Sequence, residues 1–376
     1  MINIFQPSLG NEEIQALHKL FKTNWIGKGK KTDEFVQAFS DKIGSQSSHM
    51  FTLNSCSEGI FQVLEFLNFN AGDEVVIPSI SFVASANATV DCGLVPIFCD
   101  VDKRTLNARA SDIEKCITNR TRALLLLNYG GYPIEYSEID PLIKKYDLKL
   151  IIDNACSPFS TYHGKNTGLW GDFGIWSFDA MKILVTGDGG MVYARNAEHK
   201  KAIEMRAYLG QTTPSGISNK GSKTWWEFDV DHHGRRSITN DIASTIGLVQ
   251  LKKVKNFLKI RKKVHQFYNT ELAQLEELKL PSPVPRHCET SYYFYWIRLP
   301  SQKHRDSLAK YLRENEVYTT FRYYPLHLIK YYKNDGKLKN SEDALKKVLC
   351  LPIHQGLTKS DLEKIVDIIF SWKKNI

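Results

Sequence analysis

The stretch WSFDAMKILVTGDGG, residues 176–190, is the most informative segment of this 376-residue chain. An apolar, aromatic-rich run predicts a strand, a single amine follows at Lys182, and glycines stand at positions 187, 189 and 190. Glycine permits a tight turn and a close approach of the backbone to a bulky neighbour. A surface lysine before a hairpin is the simplest interpretation. A reactive amine held at the end of a strand is the functional one.

Short apolar runs alternate with helical periodicity on the N-terminal side of this stretch and through it. The predicted strands are HMFTLNS (49–55), EVVIPSI (74–80), LVPIFCDV (94–101), ALLLLN (123–128), KLIIDNA (149–155), FGIWSF (173–178) and GMVYAR (190–195). The predicted helices are SEGIFQVLEFLNF (57–69), VASANATVDCG (83–93), ASDIEKCIT (110–118) and IEYSEIDPLIKKYD (134–147). This alternation predicts an α/β protein with a mostly parallel sheet covered by helices on both faces. Ligands of such sheets bind at the carboxyl ends of the strands.

The pattern changes after residue 200. A polar loop, GQTTPSGISNKGSK (210–223), is too long for a simple connection and is predicted to be mobile or functional. A long helix follows from DIASTIGLVQL (241–251), and short strands such as YYFYWIRL (292–299) come later. We therefore predict a large domain over residues 1–245 and a smaller C-terminal α+β domain over 246–376.

Composition narrows the class of protein. The chain is 42% hydrophobic and 24% charged, as in ordinary globular proteins. It has no apolar run long enough to span a membrane and no signal-peptide pattern, so we expect a cytoplasmic protein without a membrane partner. Seven scattered cysteines without a C-x-x-C spacing do not predict a metal site or a disulfide framework.

The net charge of +9 raises the possibility of a nucleic-acid partner. Basic residues alternate with apolar ones in KKVKNFLKIRKKVHQF (252–267), which is typical of a solvated helix face. We therefore expect no nucleic-acid partner and favour small anionic substrates such as phosphate esters.

Four polar or aromatic positions at predicted strand ends are candidates for a site. Asp153 ends an apolar strand, where a carboxylate needs a cationic partner unless it caps a turn. Ser55 and Glu58 have the spacing of a capping box, and such a helix N-terminus also binds phosphate. Phe82 is either a core residue or a platform for a planar ring. Ser177 serves either a phosphate or the local backbone.

Along the chain these features follow one another as a helix start that could bind phosphate, an aromatic residue, an aspartate and a lysine. The same order is typical of pyridoxal phosphate (PLP) enzymes of the aspartate-aminotransferase fold, fold type I, which this chain resembles. More narrowly, the chain resembles the DegT-type nucleotide-sugar aminotransferases. The most specific block is Ser-Phe-x-x-x-Lys-x-x-x-x-Gly-x-Gly-Gly at 177–190. The other blocks, in family order, are FQPSLGNEEI (5–14), NWIGKGKKTDEFVQAF (24–39), the run from NAGDEVV to FCDVD (70–102), NDIASTIGLVQLKKV (240–254), TTFRYYPLH (319–327) and LCLPIHQGLT (349–358).

The resemblance implies a role for each matching residue. Lys182 would hold PLP as a Schiff base, and Asp153 would keep the ring nitrogen protonated. Phe82 and Ala155 would lie on opposite faces of the ring. The phosphate would be held by Cys56, Ser57 and Ser177.

Four positions depart from the family pattern. Cys56 stands where glycine is common, Asp179 where histidine is frequent, and Cys156 where a glutamine or histidine lies near the ring's phenolic oxygen. Arg236 stands in the region where many members place an asparagine that reaches the phosphate of the neighbouring subunit. An arginine there would bind that phosphate or a substrate phosphate, or it is an unrelated surface residue.

The implied activity is transfer of an amino group from an amino acid, L-glutamate by resemblance, to a keto-sugar linked to a nucleoside diphosphate. PLP and pyridoxamine phosphate would alternate as cofactor, and a homodimer would share its active sites between chains. The amino sugar would serve a surface polysaccharide such as the O-antigen of lipopolysaccharide, or another glycosylated product. The alternatives are a keto-sugar dehydratase of the same fold, whose members carry histidine in place of Lys182, and a ligand-binding regulator without catalysis.

Overall fold

The computed structural model describes residues 1–212, 226–332 and 336–374. The strands are β1 (Met50–Leu53), β2 (Glu74–Pro78), β3 (Val95–Cys99), β4 (Thr121–Leu127), β5 (Lys149–Asp153), β6 (Thr161–Tyr162), β7 (Lys165–Asn166), β8 (Phe173–Ser177), β9 (Gly190–Ala194), β10 (Cys288–Glu289), β11 (Tyr295–Arg298) and β12 (Val348–Leu351). The α-helices are α1 (Asn11–Phe21), α2 (Lys30–Ile43), α3 (Cys56–Leu67), α4 (Val83–Asp91), α5 (Ala110–Glu114), α6 (Tyr136–Tyr146), α7 (Ala197–Arg206), α8 (Asp241–Leu272), α9 (Gln302–Glu314), α10 (Lys339–Lys347) and α11 (Lys359–Lys374).

A seven-stranded mixed sheet forms the centre of the molecule, in the order β1-β9-β8-β5-β4-β2-β3. The pairs from β8 through β5, β4 and β2 to β3 are parallel, and β9 is antiparallel to both β1 and β8. The predicted strands and the four predicted helices between them are therefore confirmed. The parallel pairs align the carboxyl ends of β2, β5 and β8 at one edge of the sheet.

Helices cover both faces of this sheet, as the strand pattern predicts. Val75 and Ile77 of β2 pack in one core cluster with residues of α3 and α4, while Val76 packs in another with residues of α5 and α6. Successive side chains of a strand point to opposite faces, so an unbroken apolar strand is buried on both sides. The α/β fold class predicted from the sequence is confirmed.

The N-terminal helices α1 and α2, for which the sequence yielded no prediction, pack against α8. The carboxylate of Asp241, the first residue of α8, accepts the backbone N–H groups of Gly29 and Thr32, both at 2.9 Å, at the start of α2. Its oxygen also accepts the Thr32 hydroxyl at 2.7 Å. A carboxylate at a helix N-terminus is stabilised by the unpaired N–H groups and the helix dipole.

A smaller α+β unit follows the central sheet in the chain. The antiparallel pair β11–β12 packs in one core cluster with α9, α11 and the C-terminal half of α8. The predicted boundary between residues 245 and 246 falls inside α8, which contacts α1 and α2 as well as α11. The division into two domains at that point stays a prediction.

Two further sequence predictions concern the polar loop after α7 and membrane-spanning helices. Most of the loop 210–223 lies outside the described residues. Over the three described ranges, every helix is too short or too polar to cross a lipid bilayer.

Candidate active site

A cavity of about 200 Å³ opens at the carboxyl edge of the central sheet. It is lined by Ser55, Cys56, Ser57, Ile60, Phe82, Ala84, Asp153, Ala155, Ser177, Asp179, Met181, Lys182, Asp188, Arg322 and Tyr323. The structure therefore brings together Lys182, Asp153 and five of the predicted contact residues. Their common position follows from the strand ends that precede them.

Lys182 lies in the loop that joins β8 to the antiparallel strand β9. Backbone hydrogen bonds close this loop, from the N–H of Phe178 to the carbonyl of Gly189 and from the N–H of Thr186 to the carbonyl of Phe178, both at 2.9 Å. The glycines that the sequence pattern emphasised are part of this closure: Gly187 has φ +96°, a left-handed conformation that favours glycine. The turn holds the lysine over the cavity.

The Lys182 amine donates a hydrogen bond to the hydroxyl of Tyr293 at 3.3 Å. Its Nζ also lies 5.1 Å from the centroid of the Tyr293 ring. Burial lowers the pKa of this amine, but the nearby ionisable groups Tyr293, Cys156, Cys56 and Asp153 outweigh burial and raise the pKa above the ordinary value of lysine. The bare amine is therefore held protonated, and a nucleophile at this position must first lose that proton.

Asp153 is the last residue of β5 and is only 2% exposed. Its Oδ1 accepts the backbone N–H of Ala155 at 3.0 Å. Within the described ranges it makes no ion pair closer than 4 Å, and burial raises the pKa of its carboxyl group. A buried carboxylate without a cation is costly, so a ligand that presents a positive charge or an N–H group to Asp153 would stabilise it.

The start of α3 forms the opposite wall of the cavity. The Ser55 hydroxyl accepts the N–H of Glu58 at 3.1 Å, which is one half of the predicted capping box. The carboxylate of Glu58 pairs instead with Arg235, at 3.0 Å. The N–H groups of Cys56 and Ser57 stand in the first helical turn, where such groups have no partner within the helix. Ser177 lines the same cavity, and unpaired N–H groups of this kind favour an anion.

Gly190 explains how α3 comes so close to the sheet. A Cβ atom at this position would lie 2.6 Å from the carbonyl carbon and oxygen of Ser55 and 2.7 Å from the nitrogen of Cys56. Burial raises the pKa of the Cys56 thiol, so that this side chain stays neutral at the start of α3. Cysteine at this position therefore adds no charge to the cavity.

Phe82 lines the cavity, whereas Cys156 is not among its lining residues. Phe82 is 45% exposed and lines the cavity, so it is not the core residue that was the alternative interpretation. Its ring lies 5.8 Å from that of Tyr323. Cys156 is fully buried, its sulfur is 3.6 Å from the Tyr323 hydroxyl, and burial raises the pKa of its thiol to about 11.

Arg236 is not brought into the cavity of the described chain. Its guanidinium lies over the ring of Tyr208, 5.3 Å from the centroid, and the residue is exposed. Its neighbour Arg235 is paired with Glu58 and Glu65. The two adjacent arginines thus have different surroundings, and a role for Arg236 at a partner's phosphate stays a prediction.

Residue-by-residue interpretation missed the residues of this site that lie far along the chain from Lys182. Tyr293 contacts Lys182, and Arg322 and Tyr323 line the cavity. They come from two segments far along the chain, YYFYWIRL and TTFRYYPLH. The cluster of tyrosines around one arginine was the available signal, but its distance in sequence from Lys182 gave no indication of contact.

The residues fit a PLP-like group on chemical grounds. An amine, a buried carboxylate without a cation, an exposed aromatic face and a helix N-terminus share one cavity. A separate group of possible metal ligands, Glu135, His287 and Cys288, has its ligand atoms within 4.8 Å of one another. It lies outside the cavity lining, and the sequence pattern did not single it out.

Comparison with known proteins gives the same picture over the whole chain. The DegT/DnrJ/EryC1/StrS aminotransferase family matches residues 7–370. A curated protein of Saccharopolyspora spinosa, named dTDP-4-dehydro-2,3,6-trideoxy-D-glucose 4-aminotransferase, is 42% identical over 98% of this chain and 95% of its own length.

Solved structures of other proteins have the same fold. The crystal structure of the aminotransferase TlmJ from Streptoalloteichus hindustanus is 41% identical and has a TM-score of 0.95, over 100% of this chain and 99% of that one. PseC of Helicobacter pylori, an aminotransferase involved in the biosynthesis of pseudoaminic acid, is 22% identical with a TM-score of 0.93 over the full length of both chains. At that identity the second likeness shows the fold alone.

Proposed function

This chain belongs to the DegT/DnrJ/EryC1/StrS family of PLP-dependent aminotransferases, and from that premise we propose that it aminates the 4-keto carbon of a dTDP-linked deoxyhexose. The observation that carries the proposal is that Lys182 and the buried carboxylate of Asp153 line the same cavity. The 4-position and the dTDP carrier rest on the relative that is 42% identical. Lys182 also argues against the dehydratase alternative.

When it is bound, PLP supplies an electron sink, which makes the carbon that bears the linked amine easier to deprotonate. The chain supplies the remaining functions. Lys182 would hold the cofactor through its amine and would move the proton at the substrate carbon that bears the amine. Asp153 would keep the ring nitrogen protonated, because its buried carboxylate forms no ion pair within the described ranges. Phe82 and Ala155 would lie against the two faces of the ring.

The phosphate is assigned to the start of α3 and the Ser177 hydroxyl. Both Asp179 and Asp188 also line this cavity, and Lys182 and Arg322 are the lining residues that carry positive charge. A phosphate beside two carboxylates needs a further cation. This need supports the proposed homodimer, in which Arg236 of one chain reaches the cofactor phosphate of the other.

The proposed amino donor is L-glutamate, and the proposed compartment is the cytoplasm. All seven cysteines are free thiols, as expected of a protein from a reducing compartment. The use of the amino sugar in a surface polysaccharide or another glycosylated product stays a prediction.

The test is a product assay with matched substrates. PLP-loaded protein is incubated with L-glutamate and a dTDP-linked 4-keto-2,3,6-trideoxyhexose, or with its 3-keto isomer, and the products are analysed by mass spectrometry. We expect an amino sugar from the 4-keto substrate and none from the Lys182→Ala variant. Amination of the 3-keto isomer alone would contradict the assigned position. A failure to aminate any keto-sugar while PLP is bound would contradict the proposed function.

A further inference from the structure

Arg322 is a half-buried cation of the cavity that forms no ion pair within the described parts of the chain. Its guanidinium lies 5.2 Å from the centroid of the Phe5 ring, and Nη2 contacts the sulfur of Met181 at 3.6 Å. Neither neighbour is an anion. Arginine is suited to bind carboxylates, because its planar fork can donate two parallel hydrogen bonds. The cavity thus contains a guanidinium with its ion-pairing capacity unused.

The backbone around Arg322 is fixed on both sides. The Tyr129 hydroxyl donates to the carbonyl oxygen of Arg322. On one side, the carbonyl of Thr320 accepts the N–H of Cys350 at 2.7 Å, and on the other, the N–H of Leu326 donates to the carbonyl of Ser79 at 2.8 Å. A cation on a fixed segment loses little freedom when a ligand binds. This is the arrangement of a binding residue and not of a freely moving surface side chain.

Arg322 and the reacting amine of Lys182 line the same cavity of about 200 Å³. Its charge is among the causes that lower the pKa values of Tyr293 and Cys156 against the larger effect of burial, which raises them. Tyr293 contacts the Lys182 amine directly. The guanidinium and the Lys182 amine therefore face the same cavity. A ligand bound by Arg322 must have an anionic group near the atom that reacts.

The two proposed substrates differ in the position of their anionic groups. An amino acid carries its α-carboxylate on the carbon that bears the reacting amine. A nucleotide-linked 4-keto-sugar carries its diphosphate across the sugar ring from the keto carbon. We infer that Arg322 binds the α-carboxylate of the amino-donor substrate. The inference rests on the proposed function, since it assigns one residue of the cavity to one of the two half-reactions.

The test measures each half-reaction separately in the PLP-loaded protein. The absorbance of the cofactor reports its conversion by L-glutamate in single-turnover mixing, and conversion by the dTDP-linked 4-amino sugar reports the other half. In Arg322→Ala we expect the apparent Kd for L-glutamate to rise on the order of 10- to 100-fold, while that for the amino sugar stays within about threefold of wild type. Arg322→Lys should fall between, because it keeps the charge and loses the fork.

A binding measurement without turnover supports the assay. Glutarate, which has two carboxylates and no amine, should bind to the PLP-loaded wild type in calorimetry and bind more weakly to Arg322→Ala. Arg313→Ala, an exposed arginine on α9, changes the net charge equally and should behave as wild type.

The outcomes separate this inference from the proposed function. An unchanged glutamate Kd in Arg322→Ala, or an equal loss for both substrates, would overturn the assignment while wild-type transamination leaves the proposed function intact. If wild-type protein binds PLP but reacts with neither substrate, the proposed function fails and the inference fails with it.

Discussion

Gly190→Ala is the most direct test of where the cofactor phosphate binds. The new methyl group would lie 2.6 Å from the backbone of Ser55, which is 0.8 Å short of the 3.4 Å at which ordinary contact begins. Both contacting atoms are main-chain atoms, so no side chain can rotate away. The first turn of α3 must therefore move off β9 by several tenths of an ångström.

This displacement has two expected costs. Overpacking at a fixed contact costs about 1–3 kcal/mol in the free energy of unfolding. The N–H groups of Cys56 and Ser57 move with the helix start. Weakening hydrogen bonds to a charged phosphate costs about 1.5–3 kcal/mol, which corresponds to a rise in Kd of roughly 10- to 150-fold.

The assay compares PLP with pyridoxal, which has the same ring and aldehyde but no phosphate. Absorbance titration of the cofactor-free protein should show a large loss of PLP affinity in Gly190→Ala and little change for pyridoxal. Gly10→Ala is the matched control, because a Cβ atom there meets nothing within 4 Å. A lowered Tm with unchanged PLP affinity would refute the assignment of the phosphate to α3. Equal losses for PLP and pyridoxal would show damage to the whole cavity.

Three further predictions concern single residues. Lys182→Ala should abolish the borohydride-reducible covalent cofactor that wild-type protein carries; a remaining adduct would identify another lysine. At pH values above neutral, Asp153→Asn should raise the Tm of the cofactor-free protein, because the raised pKa of Asp153 shows that burial disfavours its ionised form. The same variant should cut turnover about 100-fold or more. An unchanged Tm across pH, or near wild-type turnover, would contradict this. Burial lowers the pKa of His265 to about 4. As the pH falls from about 6.5 to 4, the unfolded chain gains a proton that the folded chain does not, and the folded state loses roughly 3 kcal/mol of stability. His265→Gln should therefore flatten the measured decline in Tm over that range.

The mixed-dimer test addresses Arg236. If the active sites are shared, a mixture of Arg236→Ala and Lys182→Ala chains contains hybrid dimers with one intact site, and activity should recover above that of either variant alone. Hybrid dimers that form, as shown by mass spectrometry, without recovered activity would exclude a role across the interface.

The sequence predicted the parts of the site that depend on local pattern. Asp153, Ser177 and Lys182 follow apolar strands, and parallel pairing brings strand ends to one edge of the sheet without knowledge of any other contact. The position of α3 was also predictable, because Ser55 and the periodicity after it identify a helix start. These elements depend on interactions between residues close in sequence, and the structure contains them at the predicted positions.

Contacts made over long sequence distances were not predictable in this way. Tyr293 contacts Lys182 and Arg322 lines the same cavity, although both come from segments more than 100 residues further along the chain, and no local pattern encodes this. The half capping box at Ser55 has a similar cause. Glu58 has the right spacing for the reciprocal bond, but Arg235, which is 177 residues away in sequence, takes its carboxylate. Tertiary ion pairs compete with local caps, and periodicity does not reveal them.

The distance along the chain between Lys182 and Arg322 has a consequence for biosynthesis. At typical synthesis rates of about 5–20 residues per second, the ribosome adds the intervening 140 or so residues in roughly 7 to 28 seconds. During that interval a nascent chain displays the lysine and the central strands without the segment that walls the cavity. The complete cavity therefore forms only after the segment that contains Arg322 and Tyr323 has been synthesised.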